Sequence, residues 1–300
     1  MGMLPRQKLQ DYYDEFKSIP ITFNKEVIQV TGLQAKQVIL KCASDFYPCF
    51  VWSTSFEEAK VVASNKSGLI EKLKESNNSV SIKFCFKQPA GGEQVAFLVT
   101  TRMIGFAPYA GGADMSMFTL RFSQRPPDDL IEIVGRILEA NVSFSKRKNE
   151  RIVITPDTLR KLRFSDKAVG VAVEGVPRRC LVRDISFNGA RLAMVGISKF
   201  LIGKQAVIKF NFDEPAENYD ISGKIQNVEN IADRGDMVLV NMIYTDTVPM
   251  VYKVRLNDYL STVRPDSRLA PPVSEAAQPV DAAPPQPADD PTAETDSSPG

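Results

Sequence analysis

Two short runs of this chain bring together residue types that handle anions and purine edges. They are Arg147 and Arg151 in K-R-K-N-E-R, and Asp184, Ser186 and Gly189 in D-I-S-F-N-G. An arginine guanidinium is planar, permanently charged and forked, so it can pair with a phosphate, donate twice to guanine O6 and N7, or stack on a purine face. The carboxylate of Asp184 can accept the hydrogens of guanine N1 and N2, and the Ser186 hydroxyl can add a contact to base or phosphate. Asn188 and Gly189 both tolerate the left-handed backbone angles of a tight turn. Each run alone has a bland reading, R-x-x-x-R as a solvated basic face and D-x-S-x-x-G as a hairpin turn. Their order, the 33-position step from Arg151 to Asp184, and the hydrophobic strands around both make the combination specific.

The elements that must position these residues are mostly strands. From Arg151 onward, Val-, Ile- and Phe-rich runs at 151–155, 169–173, 180–186, 190–195, 206–212, 219–228 and 237–244 are spaced as a barrel or Greek-key sandwich needs. A closing helix after Pro249 carries Tyr252, Leu256, Tyr259 and Leu260 on one face. The first 140 residues read as an α+β unit with strands at 37–42, 50–55, 79–86, 94–104 and 115–123. Ser55 and Glu58, in capping-box spacing, predict a helix carrying Ala59, Val62, Leu69, Ile70 and Leu73. A second helix opens at Pro127 with Asp128 and Asp129 in its first turn, carries Leu130, Ile133, Val134, Ile137 and Leu138 at helical spacing, and ends near Asn141. The expected organisation is an N-terminal domain over 1–140, a linker over 141–150 carrying the first arginine, a second domain over 151–264 and a tail over 265–300.

Composition narrows the chemistry. The chain has 300 residues and no histidine, which excludes Ser-His-Asp and Cys-His nucleophiles and H-E-x-x-H zinc sites. Its four cysteines, Cys42, Cys49, Cys85 and Cys180, form no C-x-x-C pair and read as core residues of a reducing compartment. Neither Gly91–Gly92 nor Gly111–Gly112 fits a phosphate loop, so both read as hairpin turns. No enzyme chemistry, cofactor or metal is expected. No run approaches the ~18 apolar residues of a membrane span, and a cytoplasmic protein is expected. The net charge of +1 conceals an asymmetry. Residues 265–300 hold seven acids and one base, a net of −6, which leaves +7 on residues 1–264. That Pro-, Ala- and Asp-rich tail lacks the apolar surface to form a core and is expected to be disordered.

The R-x-x-x-R and D-x-S-x-x-G pair resembles the ligand signature of PilZ domains, receptors for the bacterial second messenger cyclic di-GMP. The resemblance covers residues 147–264, and the layout of the chain resembles the two-domain PilZ receptors of spirochaetes. It implies a mainly β (α+β) chain with two β-barrel-like domains in tandem, the second a six-stranded barrel with a C-terminal helix. It implies that Arg147 and Arg151 clamp the dinucleotide and that Asp184, Ser186 and Gly189 form its floor, with Lys146 and Asn188 as possible additional contacts. Lys146 stands at a position that in related receptors can influence whether one ligand or an intercalated pair binds, and the number of ligands stays open. The implied function is a non-enzymatic, monomeric receptor that changes its interdomain arrangement to signal to a protein partner in motility, adhesion or host adaptation. Two alternatives stay open: a nucleic-acid-binding protein using its basic body, and a PilZ-fold adaptor without ligand.

Overall fold

The computed structural model describes residues 4–87, 93–112, 114–213, 216–231 and 236–263. Gly91–Gly92 and the tail over 265–300 lie outside the described residues. The first part of the chain contributes α1 (Arg6–Phe16), β1 (Ile21–Thr22), α2 (Lys25–Thr31), β2 (Ile39–Cys42), β3 (Asp45–Thr54), β4 (Glu58–Ser64), α3 (Leu69–Glu75), β5 (Ser79–Lys87), β6 (Gln94–Pro108) and β7 (Met115–Phe122). After α4 (Asp128–Lys146) come β8 (Ile152–Val153), α5 (Pro156–Leu162), β9 (Ala168–Val173), β10 (Val176–Ile185) and β11 (Gly189–Val195). The remainder is α6 (Ser198–Leu201), β12 (Gln205–Phe212), β13 (Glu217–Asn230), β14 (Met237–Tyr244) and α7 (Met250–Val263).

Each half closes a sheet on itself, so neither barrel leaves an open edge. The first runs β3-β2-β5-β6-β7-β4 and returns from β4 to β3, with β1 added outside β3. The second runs β11-β14-β13-β12-β9-β10 and closes from β10 to β11, with β8 added beside β10. Two-residue alternation drives both: β12 and β14 bury every second side chain, which gives the second core Ala206, Ile208, Phe210, Val238, Val240 and Met242. The first core is built around Leu40, Ile82, Phe84, Phe118 and Leu120. All four cysteines are buried free thiols, and burial pushes Cys49 and Cys180 up to about 12. The turn expected at Gly111–Gly112 closes the β6–β7 hairpin, with Gly112 N–H donating to the Tyr109 carbonyl.

Three expectations of local structure are corrected. The helix expected from Ser55 begins only at Leu69, because residues 58–64 form β4, with Ala59, Val61 and Ala63 paired between β3 and β7. The Ser55 hydroxyl still accepts from two backbone N–H groups, those of Glu57 and Glu58 at 3.1 Å each, but in the β3–β4 turn. Capping chemistry and turn chemistry are locally alike, and strand pairing on both sides decided between them. The second helix does not stop near Asn141: α4 continues to Lys146, because its last turns have a surface to pack on. Phe144 meets Phe187 edge-on at 6.0 Å, and the Lys253 ammonium sits 4.2 Å from the Phe144 ring centre. No element was expected before Gln37, yet α1, β1 and α2 occupy much of that stretch.

Helices α1, α4 and α7 form a layer that joins the barrels. Glu139 on α4 is its polar centre, accepting from the Tyr12 hydroxyl at 2.8 Å and Asn257 Nδ2 at 2.9 Å, with the Lys8 ammonium at 3.4 Å. Arg136 pairs with Asp258 at 2.6 Å. Gly135 lets α1 approach, since a Cβ there would meet the Tyr12 ring at 2.2 Å. Val254 of α7 belongs to the first core although α7 chiefly serves the second. Burial and then the Glu139 carboxylate raise the Tyr12 hydroxyl above its usual range, and burial raises Tyr244 and Tyr252. A tyrosine raised in the folded state adds stability that is complete below the unfolded value near 10 and lost as pH climbs above it. The urea midpoint should therefore hold level to about pH 9 and fall beyond about pH 10; a midpoint unchanged at pH 11 would contradict the assignment.

Candidate functional site

The motif halves, distant in sequence, are joined by a two-residue strand. In β8, Val153 pairs with Asp184 and Ile152 with Ile185, and Ile154 N–H donates to the Arg183 carbonyl at 2.9 Å. This register sets Arg151 beside the D-x-S-x-x-G turn. Its guanidinium forms an ion pair with the Asp184 carboxylate through Nη1 and donates from Nη2 to Asn241 Oδ1 at 2.9 Å. A third charged group closes the cluster: Arg191 Nη1 lies 4.0 Å from Asp184, and its Nη2 lies 3.7 Å from Glu229. The Asp184 side chain is largely buried, whereas both arginines remain about one-third exposed. The result is a carboxylate held between two guanidinium groups at the surface.

The turn itself is rigid for reasons the sequence concealed. The Ser186 hydroxyl accepts from the N–H groups of Asn188 at 3.2 Å and Gly189 at 3.1 Å, while Ser186 N–H donates to the Gly189 carbonyl at 2.8 Å. The side chain expected to reach a base or phosphate is thus turned inward and builds the loop. Neither Asn188 nor Gly189 takes a positive φ, so the left-handed expectation is corrected. Glycine is required at 189 by crowding, because a Cβ there would lie 2.2 Å from the Met242 carbonyl oxygen of β14. From below, the buried Tyr252 hydroxyl donates to the Ser186 carbonyl at 2.9 Å and stands 3.1 Å from the Tyr244 hydroxyl. The closing helix therefore holds the turn through a fully enclosed hydrogen bond, the kind whose loss costs about 1–3 kcal/mol.

Arg147 occupies the C-cap of α4, its N–H bonded to the Ser143 carbonyl at 2.8 Å and its Nε 3.9 Å from Glu150. Lys146 is exposed as the last residue of that helix. The structure thus brings Arg151, Asp184, Ser186 and Gly189 together and sets Arg147 one turn of chain before Arg151, its carbonyl accepting from Glu150 N–H at 3.0 Å. Arg191 and Asn241 were missed. Arg191 stands two positions after Gly189 on β11, a period-two signal visible in the sequence. Asn241 faces Arg191 only because β14 pairs with β11 in that register, which no local pattern announces. Among the described residues, no group of three or more Cys, Asp or Glu could hold a metal ion, and no helix is long and apolar enough to cross a membrane.

Comparison with known proteins adds the following. Residues 7–141 match the PilZN3 domain family. A relative from Treponema denticola, described as a cyclic di-GMP binding protein, is 41% identical over 266 residues, spanning 88% of this chain and 85% of that one. Among solved structures, the PlzA protein of Borreliella burgdorferi in complex with c-di-GMP is 20% identical, aligned over 84% of this chain and 98% of its own, with a TM-score of 0.38. YcgR from Escherichia coli in complex with c-di-GMP is 12% identical over 86% of this chain and 89% of its own, with a TM-score of 0.27.

Proposed function

The chain belongs to the PilZ-domain family of cyclic di-GMP receptors that includes the Treponema denticola relative, and on that premise we propose that it is itself a non-enzymatic receptor for cyclic di-GMP. The observation that supports the reading is the meeting of the Arg151–Asp184 ion pair with the Ser186–Gly189 turn at one end of β10, with Arg147 four residues before Arg151. Arg147 and Arg151 serve phosphate and guanine O6/N7, and Asp184 takes the guanine N1 and N2 hydrogens. Ser186 and Gly189 contribute by shaping the floor, with Asn188 in the turn and Lys146, exposed at the end of α4, as additional contacts.

In this reading the ligand competes with an internal partner. Asp184 is engaged by Arg151, so binding exchanges that ion pair for two ligand contacts, one to each group. The segment over 147–151 then closes on the dinucleotide. That segment is the sole covalent connection between α4 and the second barrel, and α4 is packed on α1 and α7. Its closure shifts an existing balance of interdomain arrangements, and the altered surface is read by a downstream protein in the cytoplasm.

Calorimetric titration of the purified chain with cyclic di-GMP tests the proposal and counts the ligands. Saturable binding at micromolar or tighter affinity is expected, lost in the Arg147→Ala/Arg151→Ala double variant. Absence of binding by the unmodified chain rejects it. Binding to nucleic acid that falls steeply with salt and ignores Asp184→Ala would favour the basic-body alternative instead.

A further inference from the structure

The pole of the second barrel away from Asp184 carries the densest exposed apolar surface of that domain. Val176 at the start of β10, Val195 at the end of β11, and Ile197, Phe200 and Ile202 around α6 are each more than half exposed. They share one end of the barrel by strand register: Cys180 pairs with Met194 and Ala206 with Val173, so both hairpin ends and α6 gather there. Leu201 alone of this group turns inward and plugs the barrel, which leaves Phe200 and its neighbours projecting from one tight turn. Stable monomers seldom expose such a cluster without use for it.

Cations predominate in the two segments that build it. Segments 195–204 and 176–180 contain Lys199, Lys204, Arg178 and Arg179 and no acidic residue. Lys199 folds over the Phe200 ring at 4.9 Å, and Arg178 Nη1 donates to the Val195 carbonyl at 3.3 Å. Among the described residues the nearby acids include Glu174, whose carboxylate accepts from Gln205 N–H at 3.0 Å, Asp236, whose carbonyl accepts from Gly196 N–H at 3.0 Å, and Glu229, next to Asn230, whose Oδ1 accepts from the Ser198 hydroxyl at 2.6 Å. Exposed apolar side chains at one end of the barrel, flanked by lysine and arginine, match an anionic lipid surface: the apolar groups enter the acyl boundary while the cations stay among the headgroups. A protein partner of core-like interface would call for a broad flat patch, which four residues of helix and two loop ends do not supply.

We infer that the Val195–Ile202 tip docks this protein reversibly on anionic membrane surfaces. Val176 lies eight residues along β10 from Asp184, about 26 Å of strand, and Val195 lies four residues along β11 from Arg191, the partner of Asp184, about 13 Å, so the tip and the ligand surface occupy opposite ends of this hairpin. Sedimentation with vesicles of phosphatidylglycerol and phosphatidylcholine, against vesicles of phosphatidylcholine alone, tests it on the full chain. Uptake by the anionic vesicles alone is expected, reduced at least about tenfold by Phe200→Asp/Ile197→Asp and, with the apolar tip intact, by Lys199→Glu/Lys204→Glu. Unchanged thermal melting of the lysine pair, whose side chains are exposed, separates lost docking from lost folding. No uptake, equal uptake by both vesicle types, or uptake untouched by either variant overturns the inference. So does self-association that disappears in Phe200→Asp/Ile197→Asp while vesicles are ignored, which would assign the tip to a second copy.

Discussion

Arg151→Ala is expected to weaken cyclic di-GMP binding by at least about 30-fold, equivalent to ~2 kcal/mol, while moving the melting temperature by no more than a few degrees. Two effects oppose each other in this variant. Removing the guanidinium frees Asp184 from its internal ion pair, which by itself favours the ligand. Arg151 is about one-third exposed, and ion pairs of that kind contribute about 0–1 kcal/mol. Against this stands the loss of a charged, forked donor from a complex in which phosphate or guanine acceptors would be desolvated, a loss of about 2 kcal/mol or more. The second effect is larger, so affinity falls. Arg151→Lys keeps the charge but not the fork and should lie between the two. Titration calorimetry on the three proteins decides it: an Arg151→Ala affinity within threefold of the parent removes Arg151 from the site.

Gly189→Ala should destabilise the second barrel by about 3 kcal/mol and lower ligand affinity with it. The new methyl would meet the Met242 carbonyl oxygen at 2.2 Å and the Ile243 Cα at 3.4 Å, both backbone atoms of the paired strand β14. A flexible side chain could rotate away. A strand inside a closed barrel can yield only by loosening its ladder, and here that ladder runs from Gly189–Ile243 to Val195–Met237. The same shift would pull Gly189 N–H from the Ser186 hydroxyl and open the turn of the candidate site. Gly170→Ala is the matching control, since a Cβ at that position meets nothing within 4 Å, and it should be neutral or slightly stabilising. Chemical denaturation of the two variants provides the comparison; equal midpoints would show that crowding at 189 is not what glycine relieves.

How far the chain could be read in advance follows from where the information lies. The strands of the second barrel stood out because apolar alternation is a local pattern, and β12 and β14 keep it over their full length. The helical layer was half legible: the stripe through Leu130, Val134, Ile137 and Leu138 marked α4, but its last turn depends on Phe144 finding Phe187. The stretch over 58–64 misled because Ser55 and Glu58 carry the same local hydrogen bonds in a turn as in a helix cap.

By itself the sequence determined the residue types of the site, the β character of both halves, and the absence of histidine chemistry, all properties of single residues or short periods. Only the tertiary structure decided how the residues of the candidate site are arranged. It showed that Ser186 faces inward, that Gly189 serves close approach and not a left-handed angle, and that Arg191 and Asn241 join Asp184 and Arg151. The reason is physical: that arrangement is set by register between strands and by burial, which depend on pairings tens of residues apart and leave no mark on any local stretch of chain.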